Sequence, residues 1–116
     1  LQFGKKISSF QLNQNKLATM QGNLVASESM MAQLARMEDR GTANNEQSAL
    51  AKAFTSKLMR ETVALGREVM GGNGLISDYR MAKIFNDAEA IYSYEGTFDI
   101  NQLIVGRALT GESAFV

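Results

Sequence analysis

The sequence predicts an all-α domain, a four-helix bundle with two long and two short helices. Proline is absent, and the ten glycines are concentrated in a few places, as is typical of long helices with short breaks between them. Apolar residues recur at steps of three, four and seven over long stretches, which is the periodicity of helices with one buried face. The length of 116 residues is that of one domain with one modest core.

The two long helices come first in the chain. The first covers residues 8–40, and Gly41 follows in the position of a glycine that ends a helix. The second begins after Asn44 or Asn45 as the N-cap and ends at Gly71–Gly72. The apolar stripes that predict their buried faces are Ile7, Phe10, Leu17, Met20, Leu24, Met31 and Leu34 on the first, and Leu50, Phe54, Leu58, Leu65 and Val69 on the second.

The two short helices complete the predicted bundle. The third covers residues 78–89, and the fourth covers residues 97–109 with Thr97 as its N-cap. Asp99 lies in the first turn of the fourth helix, where a carboxylate interacts favourably with the helix dipole. The apolar residues predicted to face inward are Met81, Ile84, Phe85, Ile100, Leu103, Ile104 and Leu109.

Composition excludes several function classes. Twelve basic and twelve acidic side chains cancel, so the net charge predicts no attraction to nucleic acid or to anionic membranes. The chain has no cysteine and no histidine, which removes disulfides, thiolate chemistry and the usual zinc ligands, and we predict no metal site. No apolar run approaches the ~20 residues of a membrane span. Chemistry here would depend on carboxylates or on a cofactor.

One carboxylate occurs in an unusual context. The stretch "AIYSYEGTFDIN", residues 90–101, places Glu95 among apolar and aromatic residues and directly before Gly96. One interpretation is a solvated loop residue between two helices. The other is a buried acid, which would be a stronger base than a hydrated one, next to a glycine that leaves room for a substrate. The apolar and aromatic neighbours favour a buried connection, but the residues alone leave open whether Glu95 has a function. These neighbours are Ile91, Tyr92, Tyr94, Phe98 and Ile100.

The glycine cluster in "VMGGNGLISDY" also allows two interpretations. Gly72 and Gly74 supply the start of a dinucleotide-binding pattern, but a helix precedes them and Ser77 stands where the third glycine belongs. A helix end followed by a tight turn explains the segment without any ligand. Alternatively, the glycines allow a ligand to approach the backbone closely, where free N–H groups bind anions.

Four motifs together resemble the C-terminal helical domain of acyl-CoA dehydrogenases. They are "FGKKISSFQLNQ" at 3–14, "MGGNG" at 70–74, "YEGT" at 94–97 and "LIVGRALTG" at 103–111. They occur in family order and spacing and span essentially the whole chain. The combination "YEGTFDIN" with "GRALTG" is most similar to the glutaryl-CoA dehydrogenase branch and its close relatives, the short-chain acyl-CoA oxidases.

This resemblance implies FAD-dependent α,β-dehydrogenation of an acyl-CoA thioester. It implies that Glu95 is the base that removes the α-proton and that Gly96 abuts the substrate. It also implies a set of FAD contacts, some of them reaching across a subunit interface: Gln11, Glu68, Val69, Met70, Gly71, Gly72, Thr97 and Phe115. Many family members have glutamine where this chain has Glu68.

The resemblance also carries expectations about the larger assembly. Residues 1–116 would be one domain of a longer flavoenzyme whose N-terminal helical and middle β-domains lie outside this chain, so the fragment alone would be inactive. Partners would be the acyl-CoA substrate, further copies in a homodimer or homotetramer, and an electron-transfer flavoprotein. Two alternatives stay open: an acyl-CoA oxidase with the same first half-reaction, and a non-catalytic helical association module. Acyl length stays open, as does the compartment: bacterial cytoplasm, mitochondrial matrix or peroxisome.

Overall fold

The computed structural model describes residues 1–115 and shows an all-α fold; Val116, the last residue of the predicted domain, lies outside the described residues. The α-helices are α1 (Gln11–Asp39), α2 (Asn45–Val69), α3 (Met81–Ser93) and α4 (Phe98–Thr110), with short 3₁₀ turns at Ile7–Ser9, Gly71–Gly74 and Ser77–Tyr79. Over residues 1–115, β-structure is limited to one isolated bridge between Gln2 and Lys5. The predicted fold class, with two long and two short helices, is confirmed.

The predicted helix ends have the expected hydrogen bonds. Asn44 and Gln47 form a reciprocal capping box at the start of α2, with N···O distances of 2.9 and 3.0 Å. Gly41 has a φ of 66° and follows α1 in a Schellman arrangement, since Thr42 N–H donates to the Met37 carbonyl at 2.9 Å. The Thr97 hydroxyl accepts from the Ile100 N–H at 3.2 Å and caps α4.

Helices α1 and α3 differ from their predicted bounds. Helix α1 begins at Gln11 rather than residue 8 because Phe10 has an extended backbone, which separates the helix from the 3₁₀ turn before it. Helix α3 begins at Met81 because Arg80 has a left-handed backbone, with a φ of 59°. It also continues to Ser93, four residues beyond the predicted end at Glu89. The connection that carries Glu95 is therefore only the segment 94–97.

Helix α2 is the centre of the bundle and packs against α1, α3 and α4. Ion pairs and hydrogen bonds show that α1 runs antiparallel to it, since Lys16 meets Glu68 and Asn23 meets Glu61. The closest packing uses small side chains, which let helix backbones approach one another. The buried apolar residues are Ala49, Ala51 and Ala53 of α2 together with Met81 and Ala88 of α3.

The large apolar side chains are covered less than the sequence predicts. On α1, Leu24 and Met31 of the predicted buried stripe are about half exposed, at 51% and 48%. On α4, Leu109 is 82% exposed, although it was predicted to face inward. The helical periodicity is correct, but one chain has too few neighbouring elements to bury every stripe. These faces form large apolar surfaces of the kind that other chains or domains cover.

Candidate functional site

The turn between α3 and α4 holds Glu95 in a rare backbone conformation. Glu95 has a φ of 55° and Gly96 a φ of 75°, so two successive residues are left-handed. Glycine adopts this conformation freely, whereas for glutamate it costs on the order of 1 kcal/mol. A strained residue of this kind persists only where its surroundings hold it, and such residues concentrate at functional sites.

Glu95 is exposed in this structure, which corrects the expectation that it is buried. Its apolar neighbours do not enclose it: Tyr94 is 53% exposed, and Ile91 and Ile100 are also exposed. They lie on helix and turn surfaces that no other part of the described chain covers. The apolar sequence around Glu95 therefore indicates a surface that is apolar, and within residues 1–115 the carboxylate is open to solvent.

Helix α2 holds the end of α3 just before this turn. The Lys52 ammonium donates to the Ile91 carbonyl at 2.6 Å, so it satisfies a carbonyl in the last turn of α3, and it lies 5.6 Å from the Tyr94 ring centre. Eight residues further along α2, the Arg60 guanidinium lies 4.2 Å from the ring centre of Tyr92. These contacts hold the end of α3 against α2, and so they fix the direction in which the backbone enters the turn at Glu95.

Arg60 also links α2 to α3 and, through Tyr92, to α4. It donates to the Glu89 carboxylate at 2.7 Å, and this hydrogen bond raises the pKa of Arg60 above its already high ordinary value. Tyr92 stacks in turn on Phe98, with ring centres 5.0 Å apart and planes at 14°. The column Arg60–Tyr92–Phe98 therefore spans both helices that flank the Glu95 turn.

Glu95 opens onto a groove of about 770 Å³ between the first turns of α2 and the length of α4. We call this the Glu95 groove; it is lined by Asn45, Glu46, Ser48, Ala49, Lys52, Glu95, Asn101, Ile104, Arg107, Ala108, Gly111 and Phe115. Its volume lies within the range of small-molecule sites. Two cations, Lys52 and Arg107, share the groove with two carboxylates, so it offers a proton acceptor beside groups that attract anions.

A second groove, of about 640 Å³, lies at the opposite end of α2. We call this the Gly72 groove; it is lined by Leu1, Gln2, Ile7, Asn13, Glu68, Val69, Met70, Gly71, Gly72, Asn73 and Tyr79. Lys16 binds Glu68 here, with an N···O distance of 2.8 Å, and this hydrogen bond holds the pKa of the Glu68 carboxyl below its usual range. The negative charge of Glu68 is thereby paired within the chain.

The glycines of the Gly72 groove have different roles. Gly71 has a φ of 58°, which favours glycine, whereas a Cβ added at Gly72 would meet no atom within 4 Å. Gly74 is buried, and a Cβ there would lie 2.5 Å from the Arg67 carbonyl oxygen. The cluster therefore ends α2 and packs tightly at Gly74, while the space around a Cβ at Gly72 is open.

The residues predicted to form one site lie in two places. Glu95 and Phe115 line the Glu95 groove, whereas residues 68–72 line the Gly72 groove. Along α2, the rise from Ser48 to Glu68 amounts to about 30 Å. Gln11 is exposed in the first turn of α1, and Thr97 caps α4 beside Glu95, but neither lines these two grooves.

Sequence reasoning missed Lys52 and Asn101. Both lie on helices, and a lysine or an asparagine within a helical pattern is normally interpreted as a solvent-exposed residue. Asn101 had one usable signal, because it stands among Ile100, Leu103 and Ile104 on a largely apolar helix. A buried amide in such a position needs hydrogen-bond partners, which predicts a polar contact with the turn before it.

Two other features, metal ligands and membrane-spanning helices, can be checked over the described residues. Among residues 1–115, no group of three acidic side chains is arranged to hold a metal ion. No helix of that same stretch is long and apolar enough to cross a membrane.

Comparisons with known proteins place this geometry in a family. The sequence model described as "Acyl-CoA dehydrogenase, C-terminal domain" matches residues 1–110. Mitochondrial isovaleryl-CoA dehydrogenase of Bos taurus is 30% identical over 110 residues, which is 95% of this chain and 26% of that protein. The chain thus spans less than a third of the length of the curated relatives that it matches.

Solved structures agree with the sequence comparisons. Glutaryl-CoA dehydrogenase from Mycobacterium smegmatis is 34% identical and superposes with a TM-score of 0.95 over 100% of this chain and 30% of its own. A structure titled as that enzyme from the same organism in complex with FADH2 gives a TM-score of 0.87 at 34% identity, over 98% of this chain and 30% of its own. The chain belongs to the acyl-CoA dehydrogenase family, and residues 1–110 correspond to its C-terminal domain.

Proposed function

We propose that this chain is the C-terminal domain of an FAD-dependent acyl-CoA dehydrogenase and supplies the catalytic base, Glu95. The observation that carries the proposal is the strained left-handed backbone at Glu95 on the edge of a ligand-sized groove. Left-handed backbone is uncommon for residues other than glycine. Family membership supports the reaction class, and the left-handed turn supports the choice of Glu95 as the base.

Glu95 accepts the α-proton of the bound thioester. An α-proton of a thioester is weakly acidic, so the base must be aimed at it from close by. The left-handed turn directs the Glu95 backbone away from the helix path, and Gly96 removes side-chain bulk beside it. The two remaining domains would cover the exposed carboxylate and exclude water, which makes it a stronger base than it is in solvent.

The residues present fit FAD as the cofactor. The Gly72 groove offers open space at Gly72 and the left-handed Gly71, and Lys16 already pairs the charge of Glu68, so that carboxylate does not repel a phosphate strongly. Residues 68–72 would hold the adenine-dinucleotide part, and Gln11, Thr97 and Phe115 would supply further contacts. When bound, FAD supplies the two-electron oxidant for the α,β bond.

Two copies of the chain are needed for this arrangement. The Glu95 groove and the Gly72 groove lie at opposite ends of α2, about 30 Å apart, so one chain does not present both to the same reacting centre. A homodimer or homotetramer would bring the Gly72 groove of one copy toward the Glu95 groove of another. The half-exposed apolar face of α1 is suited to such an interface.

The test is a direct one on the full-length protein. We expect it to purify with bound FAD and to lose the flavin colour anaerobically when isovaleryl-CoA or glutaryl-CoA is added. Reoxidation of the reduced flavin by air, compared with reoxidation by an electron-transfer flavoprotein, then separates an oxidase from a dehydrogenase. A flavin-free protein that binds no FAD would contradict the proposal and favour a helical association module.

We expect residues 1–116 to self-associate through α1. Sedimentation velocity over a range of concentrations should show a dimer or larger species, because Leu24 and Met31 lie half exposed on this helix. Leu24→Glu should shift the chain toward monomer, since it places a charge on the apolar face. Gln21→Glu, which adds a charge at an exposed polar position of the same helix, is the matched control. A clean wild-type monomer at high concentration would contradict the expectation.

A further inference from the structure

We propose that Asn101 is the positioning residue that holds Glu95 in its reactive orientation. Asn101 lies in the first turns of α4 and is only 7% exposed, which makes it one of two buried polar side chains among residues 1–115. The inference rests on the proposed function, because it assigns a purpose to Asn101 only if Glu95 is the base.

The contacts of Asn101 converge on the turn. Its side-chain Nδ2 donates to the Gly96 carbonyl at 2.8 Å and to the Thr97 carbonyl at 3.0 Å. The two acceptors belong to the peptide units that link Gly96 to Thr97 and Thr97 to Phe98. One side-chain amide therefore ties the two peptide units on the C-terminal side of Gly96 to the body of α4.

These hydrogen bonds oppose the strain at Glu95. A glutamate at a φ of 55° would relax to an ordinary backbone more easily if the residue after it were free to reorient. Asn101 restrains that residue, Gly96, since turning the Gly96 carbonyl away would leave one of the two Nδ2 N–H groups buried without an acceptor. The fit is also steric, because a Cβ on Gly96 would lie 3.3 Å from the Asn101 Nδ2. Asn101 thereby sets the backbone position from which the exposed Glu95 side chain extends.

Asn101→Asp tests the inference in the full-length holoenzyme. The change keeps the size of the side chain but replaces the donor with a carboxylate oxygen facing two carbonyl oxygens. We expect the rate of anaerobic flavin reduction per bound flavin to fall by about 10²-fold, because a base displaced by roughly 1 Å loses that much. The half-saturating acyl-CoA concentration should change far less than the rate.

Two further variants separate positioning from general stability. Asn101→His should recover most of the rate. Imidazole Nδ1 is the same number of bonds from Cα as the asparagine Nδ2, and its N–H can donate a hydrogen bond to the turn. Gln102→Glu makes the same amide-to-carboxylate change at the next, exposed residue and should leave the rate unchanged. A wild-type rate per flavin in Asn101→Asp, or an equal loss in Gln102→Glu, would overturn the inference.

Glu95→Gln, measured alongside, distinguishes the two proposals. If Glu95→Gln abolishes flavin reduction and Asn101→Asp does not lower it, the positioning role is wrong and the base assignment stands. If Glu95→Gln reduces flavin at the wild-type rate, the proposed base itself is wrong, and the positioning role is overturned with it.

Discussion

Glu95→Gln should lower acyl-CoA turnover in the full-length protein by about 10⁴-fold. Glutamine keeps the size of the side chain and the backbone N–H, but its amide does not accept the α-proton. Because no other base replaces it for a weak carbon acid, the loss should reach the upper end of general-base effects. FAD content and acyl-CoA affinity should stay close to wild type, as measured by flavin absorbance and by titration with acyl-CoA.

The fold should tolerate this change. Glu95 is exposed, and neutralising an exposed carboxylate usually alters the free energy of unfolding by no more than about 0.5 kcal/mol. Glu112→Gln is a matched control, since it removes an exposed carboxylate just after α4 and should leave turnover unchanged. Equal losses in the two variants would indicate a general charge effect and contradict a specific base.

Gly74→Ala should destabilise the end of α2 by about 1–3 kcal/mol. The added Cβ would lie 2.5 Å from the Arg67 carbonyl oxygen and 3.1 Å from the Arg67 Cγ, and the first of these is backbone that moves only if the helix end moves. Since residues 68–72 line the Gly72 groove, we also expect loss of bound FAD. Thermal unfolding and flavin content of the full-length protein measure the two effects.

Gly72→Ala is the informative partner of this variant. Its Cβ would meet no atom of the chain within 4 Å, and Gly72 is one of the residues that line the Gly72 groove. We therefore expect the unfolding temperature to stay at the wild-type value while FAD binds more weakly. A Gly72→Ala protein with both properties unchanged would contradict an FAD contact at this glycine. Equal destabilisation by the two variants would contradict the packing described for Gly74.

Local signals in the sequence predicted the elements of the fold correctly. Asn44, Gly41 and Thr97 cap or end helices as expected, because capping depends on a few hydrogen bonds between neighbouring residues. The predicted start of α3 is wrong because Arg80 takes a left-handed backbone, and an arginine in the sequence does not indicate that conformation. Helix periodicity also identified apolar faces without indicating what covers them.

The candidate site was predictable only in part. The motif around Glu95 was recognisable, and the turn there is indeed unusual, but burial was inferred from apolar neighbours that are themselves exposed. Asn101 escaped notice because its importance depends on two backbone carbonyls that a helix start brings within reach. The separation of the two grooves follows from the length of α2 and becomes clear only once the packing is known.

The central claim, that Glu95 is the base, is tested most directly by anaerobic stopped-flow of the full-length protein with a saturating acyl-CoA. The visible absorbance of the flavin is followed in wild type, Glu95→Gln and Glu112→Gln, all loaded with FAD. The account predicts rapid bleaching in wild type and Glu112→Gln, and almost none in Glu95→Gln over the same time. Bleaching of Glu95→Gln at a rate near that of wild type would show that another group removes the α-proton.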